Sequence, residues 1–291
     1  MKILGLGDNV VDRFLDRKTM YPGGQAMNIA VFCRNLGIES AYMGFFGTDE
    51  KALLNQNVLN ELGIDYSRSR VVDGDNAFAC VMTVKGERVF LYSNKGGVAK
   101  ERPWNFSKED LEYISSFDYV FTDQNSNLEE ELPLLKSLGC KFVFDFSRKY
   151  ESDYLKRCAP YVSIAFLSVG EESRVEEILD KMNETAGYGV PIVVATRGVM
   201  GSMALFDGKV YSQESLPTKV KDTMGAGDSF EAGFLSSLMR DKSFFCESIK
   251  KALFCGAKSA SKTCATEGSY DYGIPFVPTE NEIKLMSLQL H

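Results

Sequence analysis

The chain has a single histidine, His291, and it is the last residue. A Ser–His–Asp or Cys–His mechanism, or a histidine-ligated metal site, would have to use that terminal side chain, and termini are commonly loose. Proton transfer therefore falls to Asp, Glu, Lys, Tyr or Cys, with carboxylates favoured. Basic residues are outnumbered: 33 Lys and Arg face 40 Asp and Glu, a net charge of −7. No basic stripe of the kind that tracks a phosphate backbone is present, which argues against a general nucleic-acid binder. No apolar run approaches the length of a membrane span, so no membrane partner is expected. Cysteine pairs are missing too. The cysteines stand at 33, 80, 140, 158, 246, 255 and 264, with no C-x-x-C, and their number is odd. The expected state is reduced thiols, mostly inside apolar segments. The start, MKILGLGDNVVD, meets polar residues too early for a secretory signal, and a cytoplasmic protein is expected. There is no G-x-x-x-x-G-K-[ST] phosphate loop. The G-x-G at 5–7 lacks the third glycine and the opening helix of a dinucleotide fingerprint.

What is present reads as an α/β protein. Short β-rich runs at 2–7, 40–47, 118–123, 141–147, 163–168 and 191–198 alternate with helical patterns at 25–36, 49–62, 129–138 and 171–186. Several of the runs have no polar alternation, as strands buried on both faces do. That rhythm predicts a central, mostly parallel sheet flanked by helices. Two stretches break it. Residues 76–97 read as a hairpin around the turn KGE (85–87), and residues 12–21 sit where a helix is due. We expect one domain over 1–291, with a small β-sheet subdomain formed by about 12–21 and 73–98. After the strand-like KVYSQESL (209–216), helices are predicted at 228–240 and 244–263.

One stretch carries most of the chemistry: DTMGAGDSF, residues 222–230. Gly225 and Gly227 permit a turn that puts successive N–H groups on one concave side. Phe230, Phe234, Leu235, Leu238 and Met239 follow at helical spacing, so a helix starts near Gly227 or Asp228. Its first turn offers unpaired N–H donors and the positive end of the helix dipole. A plain glycine turn with an Asp cap would use the same residues. The functional reading is an anion cradle with Asp228 at its lip, where ionisation is favoured. On that reading Asp228 can take a proton from an alcohol, while the N–H groups of the turn and first helical turn stabilise charge growing on a phosphoryl group in transfer.

DTMGAGDSF resembles the second signature of the ribokinase-like (PfkB) carbohydrate kinases. Four further segments match that family in order: GDNVVD (7–12), PGGQAMNIA (22–30), GFFGTDE (44–50) and ATRGVMG (195–201). The resemblance implies an ATP-dependent kinase with the family fold and a β-sheet lid, acting on a small-molecule sugar. It assigns Asp228 as general base and Gly225 to Gly227 as anion hole. It implies that Asn9, Asp12, Gly24 and Asn28 hold the sugar hydroxyls. Thr196, Gly198 and Gly201 would border the ATP phosphates and ribose, with Ala257 at the adenine pocket. Asp222 matches a position that often helps to bind a monovalent cation, so K⁺ is a candidate activator. The family's N-x-x-E near Mg²⁺–ATP appears here as SVGE, with Ser168 in place of the Asn and Glu171 retained for indirect contact with Mg²⁺. The lid hairpin would cover the sugar and often pairs with a second subunit, which implies a homodimer. Asn94 and Lys95, at its far end, are candidates to reach the substrate.

A narrower resemblance runs through GDNVVD, YPGGQAMNIAV, SNKGGV (93–98), FDFSRKYESDYLKRCAPYVSIAF (144–166) and ASKTC (260–264), which look like the fructoselysine 6-kinases within that family. It implies transfer to the C6 hydroxyl of fructoselysine or a similar fructosamine. The alternatives are a kinase for fructose, 2-keto-3-deoxygluconate or a nucleoside, or a non-catalytic sugar-binding regulator on the same fold. A silent copy has no need of Asp228.

Overall fold

The computed structural model describes residues 1–84, 87–100, 102–241 and 246–289. His291 and positions 85–86 of the expected KGE turn lie outside the described residues. The chain opens with β1 (Lys2–Gly7) and the hairpin β2 (Val10–Phe14) and β3 (Thr19–Gly23), followed by α1 (Gln25–Asn35), β4 (Glu39–Phe46), α2 (Glu50–Glu61) and a short β5 (Arg70–Val71). A second hairpin, β6 (Ala77–Val84) and β7 (Glu87–Ser93), interrupts the alternation. It resumes with α3 (Lys108–Ser115), β8 (Tyr119–Asp123), α4 (Leu132–Lys136), β9 (Lys141–Asp145), α5 (Ser152–Cys158), β10 (Ile164–Ser168), α6 (Val175–Gly187) and β11 (Ile192–Thr196). The chain then turns back through β12 (Ser202–Phe206) and β13 (Lys209–Gln213) before α7 (Ala226–Arg240), α8 (Cys246–Cys264), β14 (Ile274–Pro275) and α9 (Glu280–Gln289).

The large sheet has the order β13-β12-β11-β10-β9-β8-β1-β4-β5. From β11 to β5 every neighbouring pair is parallel, and only β12 and β13 run antiparallel. Alternate residues serve opposite faces. Ile3, Tyr42, Phe121, Val143 and Phe166 meet α1, α7 and α8, whereas Leu4, Leu6, Phe142, Phe144 and Leu167 meet α3 to α6. Phe234 of α7 is fully buried against Phe166, so Phe234→Ala removes about 3–5 kcal/mol of stability. A parallel sheet brings all its strand C-termini to one rim. Asp8 just after β1, Asp123, Asp145, Ser168 and Thr196 therefore share that edge, where ligands of such sheets bind.

The small sheet has the order β14-β3-β2-β6-β7. Its inner face carries Phe14, Tyr21 and Val81, which pack on Met224 in the loop before α7. Its outer face carries Val11, Met20 and Cys80, which pack with Phe276 and with Met286 of α9. A subunit contact through this sheet has to use what α9 leaves uncovered.

Two expected helices differ. The one over 129–138 is cut to Leu132–Lys136, with a proline in its first turn. The one over 171–186 starts at Val175, which leaves Glu171 in a turn. All seven cysteines are free thiols, and Cys33, Cys80, Cys140 and Cys158 are buried. Among the described residues, no helix is long and apolar enough to cross a membrane.

Candidate active site

The cradle forms as its composition demands. Gly225 caps α7 with φ of 67°, a left-handed geometry, and a Cβ there would lie 2.5 Å from Ser269 Oγ. Gly227 is the reverse case: a Cβ there meets nothing within 4 Å, so the cradle opens at that point. The Ala226 N–H turns back to Thr223 O at 3.2 Å. That corrects its expected place among the donors. The N–H groups of Gly225, Gly227 and Asp228 have no acceptor among the described residues and remain available to an anion.

Asp228 lies in the first turn of α7, half-buried, and its Oδ2 accepts from Asn28 Nδ2 at 2.5 Å. Asn28 stands one turn into α1. Gly24 caps that helix with φ of 102°, and a Cβ there would lie 2.5 Å from the Asn9 Cα. Glycine thus lets the helix start press against the loop after β1. Asn28 is 4% exposed, yet its Oδ1 has no partner. That leaves one acceptor open beside Asp228. The expectation that ionisation of Asp228 is favoured needs revision. Burial raises its pKa, and the Asn28 hydrogen bond and the Arg88 charge offset this only in part. A carboxylate raised in this way is a stronger base.

Around Asp228 lies an acid-rich floor. Burial pushes Asp12 on β2 up to about 7, with the Arg88 charge opposing it and the Asp228 charge adding to it. Asp8 rises to about 6 and Asp145 to about 7, again mainly by burial. Asp123 and Glu231 are held well above the usual carboxylate range for the same reason. Asp8 accepts from Ala26 N at 2.9 Å, Asp123 from Ser126 Oγ at 2.7 Å and Asp145 from Ser147 Oγ at 2.7 Å. Among the described residues, no Lys or Arg forms an ion pair with any of these groups. Glu231 is 3% exposed and its Oε2 has no partner.

Other expected residues fare differently. Asn9 turns inward. Its Nδ2 donates to Tyr42 OH and Phe45 O, both at 2.8 Å, and its Oδ1 accepts from Asn55 at 3.0 Å, so it braces the loop after β1 instead of holding a sugar. Asn94 is also committed, donating to Asn76 O at 2.8 Å and accepting from Phe78 N at 3.0 Å across the base of the second hairpin. Lys95 is exposed in a left-handed turn. Ser168 and Thr196 lie side by side in register at the strand ends. Gly198 and Gly201 frame the turn beyond them, and Glu171 Oε1 accepts from Val199 N within it at 3.3 Å. Ala257 is buried on α8. Asp222, the candidate potassium ligand, is paired with an arginine. Its Oδ2 is 2.9 Å from Arg17 Nη1, which already supplies the positive charge.

A family model described as pfkB family carbohydrate kinase matches residues 12–275. The chain belongs to the PfkB family of carbohydrate kinases. It is therefore a phosphotransferase that acts on a sugar hydroxyl. It is 41% identical to the fructosamine kinase FrlD of Bacillus subtilis (strain 168) over 95% of each chain. It is 31% identical to the fructoselysine 6-kinase of Escherichia coli (strain K12), over 93% of this chain and all of that one. In fold it is similar to the ribokinase of Arabidopsis thaliana solved with ribose and ATP, with a TM-score of 0.77 at 20% identity over 99% and 97% of the two chains.

Sequence reasoning missed several residues that the fold of this PfkB kinase gathers around Asp228 and the cradle. Asp8, Asp123 and Asp145 carry one shared signal, an isolated Asp at the C-terminal end of a parallel strand. Glu231 follows Asp228 by three residues on α7 and so shares its helix face. Arg17 carries no local signal, because its partner lies 205 residues away.

Proposed function

We propose that this kinase transfers the γ-phosphoryl group of ATP to the C6 hydroxyl of fructoselysine or a closely similar fructosamine. The observation that carries the chemistry is the joint placement of Asn28, Asp228 and the open N–H groups of the α7 turn. Asp228 accepts the hydroxyl proton. Asn28 orients the carboxylate and offers its unpaired Oδ1 to a neighbouring hydroxyl of the sugar. The Gly225, Gly227 and Asp228 N–H groups receive the charge on the transferring phosphoryl. Asp12 and the backbone at Gly24 border the sugar, and the turn at Thr196 to Gly201 borders the nucleotide.

Glu171 suits Mg²⁺. It is an exposed carboxylate beside that turn, with one oxygen bound to Val199 N, and hard oxygen donors hold this ion through water. When bound, the ion supplies charge neutralisation at the phosphates. The small sheet acts as a lid. It excludes water that would otherwise accept the phosphoryl group.

Two observations favour a fructosamine over free fructose. The first is the pair of relatives named above. The second is the acid floor, which suits the secondary ammonium next to the ring of an Amadori product. A cytoplasmic setting, where ATP is at hand, fits this role. An ADP-release screen with fructoselysine, psicoselysine, fructose, ribose, 2-keto-3-deoxygluconate and adenosine tests it. The highest kcat/KM is expected for fructoselysine. Activity on fructose or adenosine far above the fructosamines overturns the assignment.

A further inference from the structure

The first hairpin and the anion cradle are joined by one ion pair. Arg17 lies in the β2–β3 connection. Its Nη1 donates to Asp222 Oδ2 at 2.9 Å, its Nη2 donates to Thr83 Oγ1 at 3.1 Å, and the guanidinium lies 4.4 Å from the centre of the Phe14 ring. Asp222 is buried, with its side chain 4% exposed. Its carboxylate also accepts from Met224 N at 3.1 Å and Gly268 N at 3.3 Å. It thus ties together the two backbone segments that flank the cradle, and a buried carboxylate does this only while its charge is neutralised.

We infer that Arg17 is a positioning residue that takes the place of a bound monovalent cation at Asp222, so that phosphoryl transfer by this kinase does not depend on potassium. The three contacts fix the guanidinium, and a second cation on Asp222 would face it directly. The charge is also tethered. It comes from the small sheet, so the cradle is neutralised only when that sheet is seated on Met224. A free ion would hold the cradle whether or not the sheet was in place. The inference requires only that the chain is a sugar kinase, whichever sugar it takes.

Initial rates are measured with the best substrate of the screen above, at constant ionic strength in KCl, NaCl or tetramethylammonium chloride. The wild-type kcat is expected to agree within about twofold across the three salts. Its thermal midpoint is expected not to distinguish K⁺ from Na⁺. Arg17→Ala should lower kcat by about 10- to 100-fold, the range for losing a charge-assisted hydrogen bond that acts in the transition state. Guanidinium ion at millimolar concentration should restore part of that loss, which a purely structural role for Arg17 would not allow. A wild-type kcat that rises more than fivefold in K⁺ over Na⁺ overturns the inference, and this comparison needs no variant to fold. A folded Arg17→Ala with wild-type kcat in all three salts overturns it as well.

Discussion

Asn28 sets the acidity of Asp228, and the effect of removing it follows from the geometry. Burial pushes the Asp228 pKa up, and the largest opposing influence is the hydrogen bond from Asn28 Nδ2 at 2.5 Å. A hydrogen bond to a charged group contributes ~1.5–3 kcal/mol, and one pKa unit corresponds to ~1.36 kcal/mol. Asn28→Ala should therefore raise the Asp228 pKa further. The base works only when ionised. Raising its pKa moves the acid limb of the rate profile to higher pH by the same amount. On that limb, kcat falls by ~10- to 100-fold relative to wild type. Above it, the two enzymes converge in kcat, and weaker sugar binding without Oδ1 shows only in KM. The assay is kcat and kcat/KM from pH 5 to 9 by coupled ADP detection, with the thermal midpoint confirming the fold. Asn28→Asp sharpens the test, because a second carboxylate at that distance forces a shared proton and moves the limb further. An acid limb that stays in place in both variants refutes Asp228 as the titrating base.

Asp228→Asn should keep ATP affinity near wild type and lower kcat by roughly 10²–10⁴-fold; turnover within a few-fold of wild type removes the base assignment. Glu231 has a raised folded pKa, so its carboxyl favours the folded state below the ordinary range and costs stability as pH rises. Glu231→Gln should therefore be more stable than wild type at pH 7 and match it near pH 4 in denaturant titrations, and a loss at pH 7 contradicts this. Glu282 runs the other way. Burial would raise it, but the Tyr92 hydroxyl, the Thr279 N–H and the Arg13 charge outweigh burial and hold it at about 2. Its stabilisation is present above the unfolded value near 4.5 and is lost as pH falls towards 2. Glu282→Gln should cost ~1–3 kcal/mol at pH 7 and progressively less as pH falls from 4 to below 2, while a cost that stays constant over that range would show that charge plays no part.

The parts of the fold that read clearly in sequence were those with strong periodicity. The apolar runs at 2–7 and 192–196 are strands because no polar residue interrupts them, and α7 follows from its Phe and Leu spacing. Elements held by long-range partners did not read. The two residues of β14 form a strand only by pairing with β3, and β12 depends on β11. Two helices had legible starts that were overlooked. Ser107 and Asp110 form a capping box before α3, and Thr279 and Glu282 exchange the same pair of bonds before α9. In the site, the nine-residue cradle was legible because it is local. Asn9 and Asn94 were misjudged because an Asn side chain serves a ligand or a buried backbone equally well, and only its neighbours decide between them. Arg17 and the acid floor arise from elements brought together by the sheets.

Three carboxyl groups on that floor titrate near neutrality: Asp8 at about 6, and Asp12 and Asp145 at about 7. Close to pH 7 the unliganded cleft is thus partly filled with protons. A substrate that brings its own positive charge exchanges for them, and a neutral sugar does not. Binding of a cationic sugar then releases protons to the medium, its heat varies with the ionisation enthalpy of the buffer, and its affinity rises with pH. For the proposed fructosamine substrate the cleft would act as a small ion exchanger, and its preference over a plain sugar should sharpen as the surroundings become more alkaline.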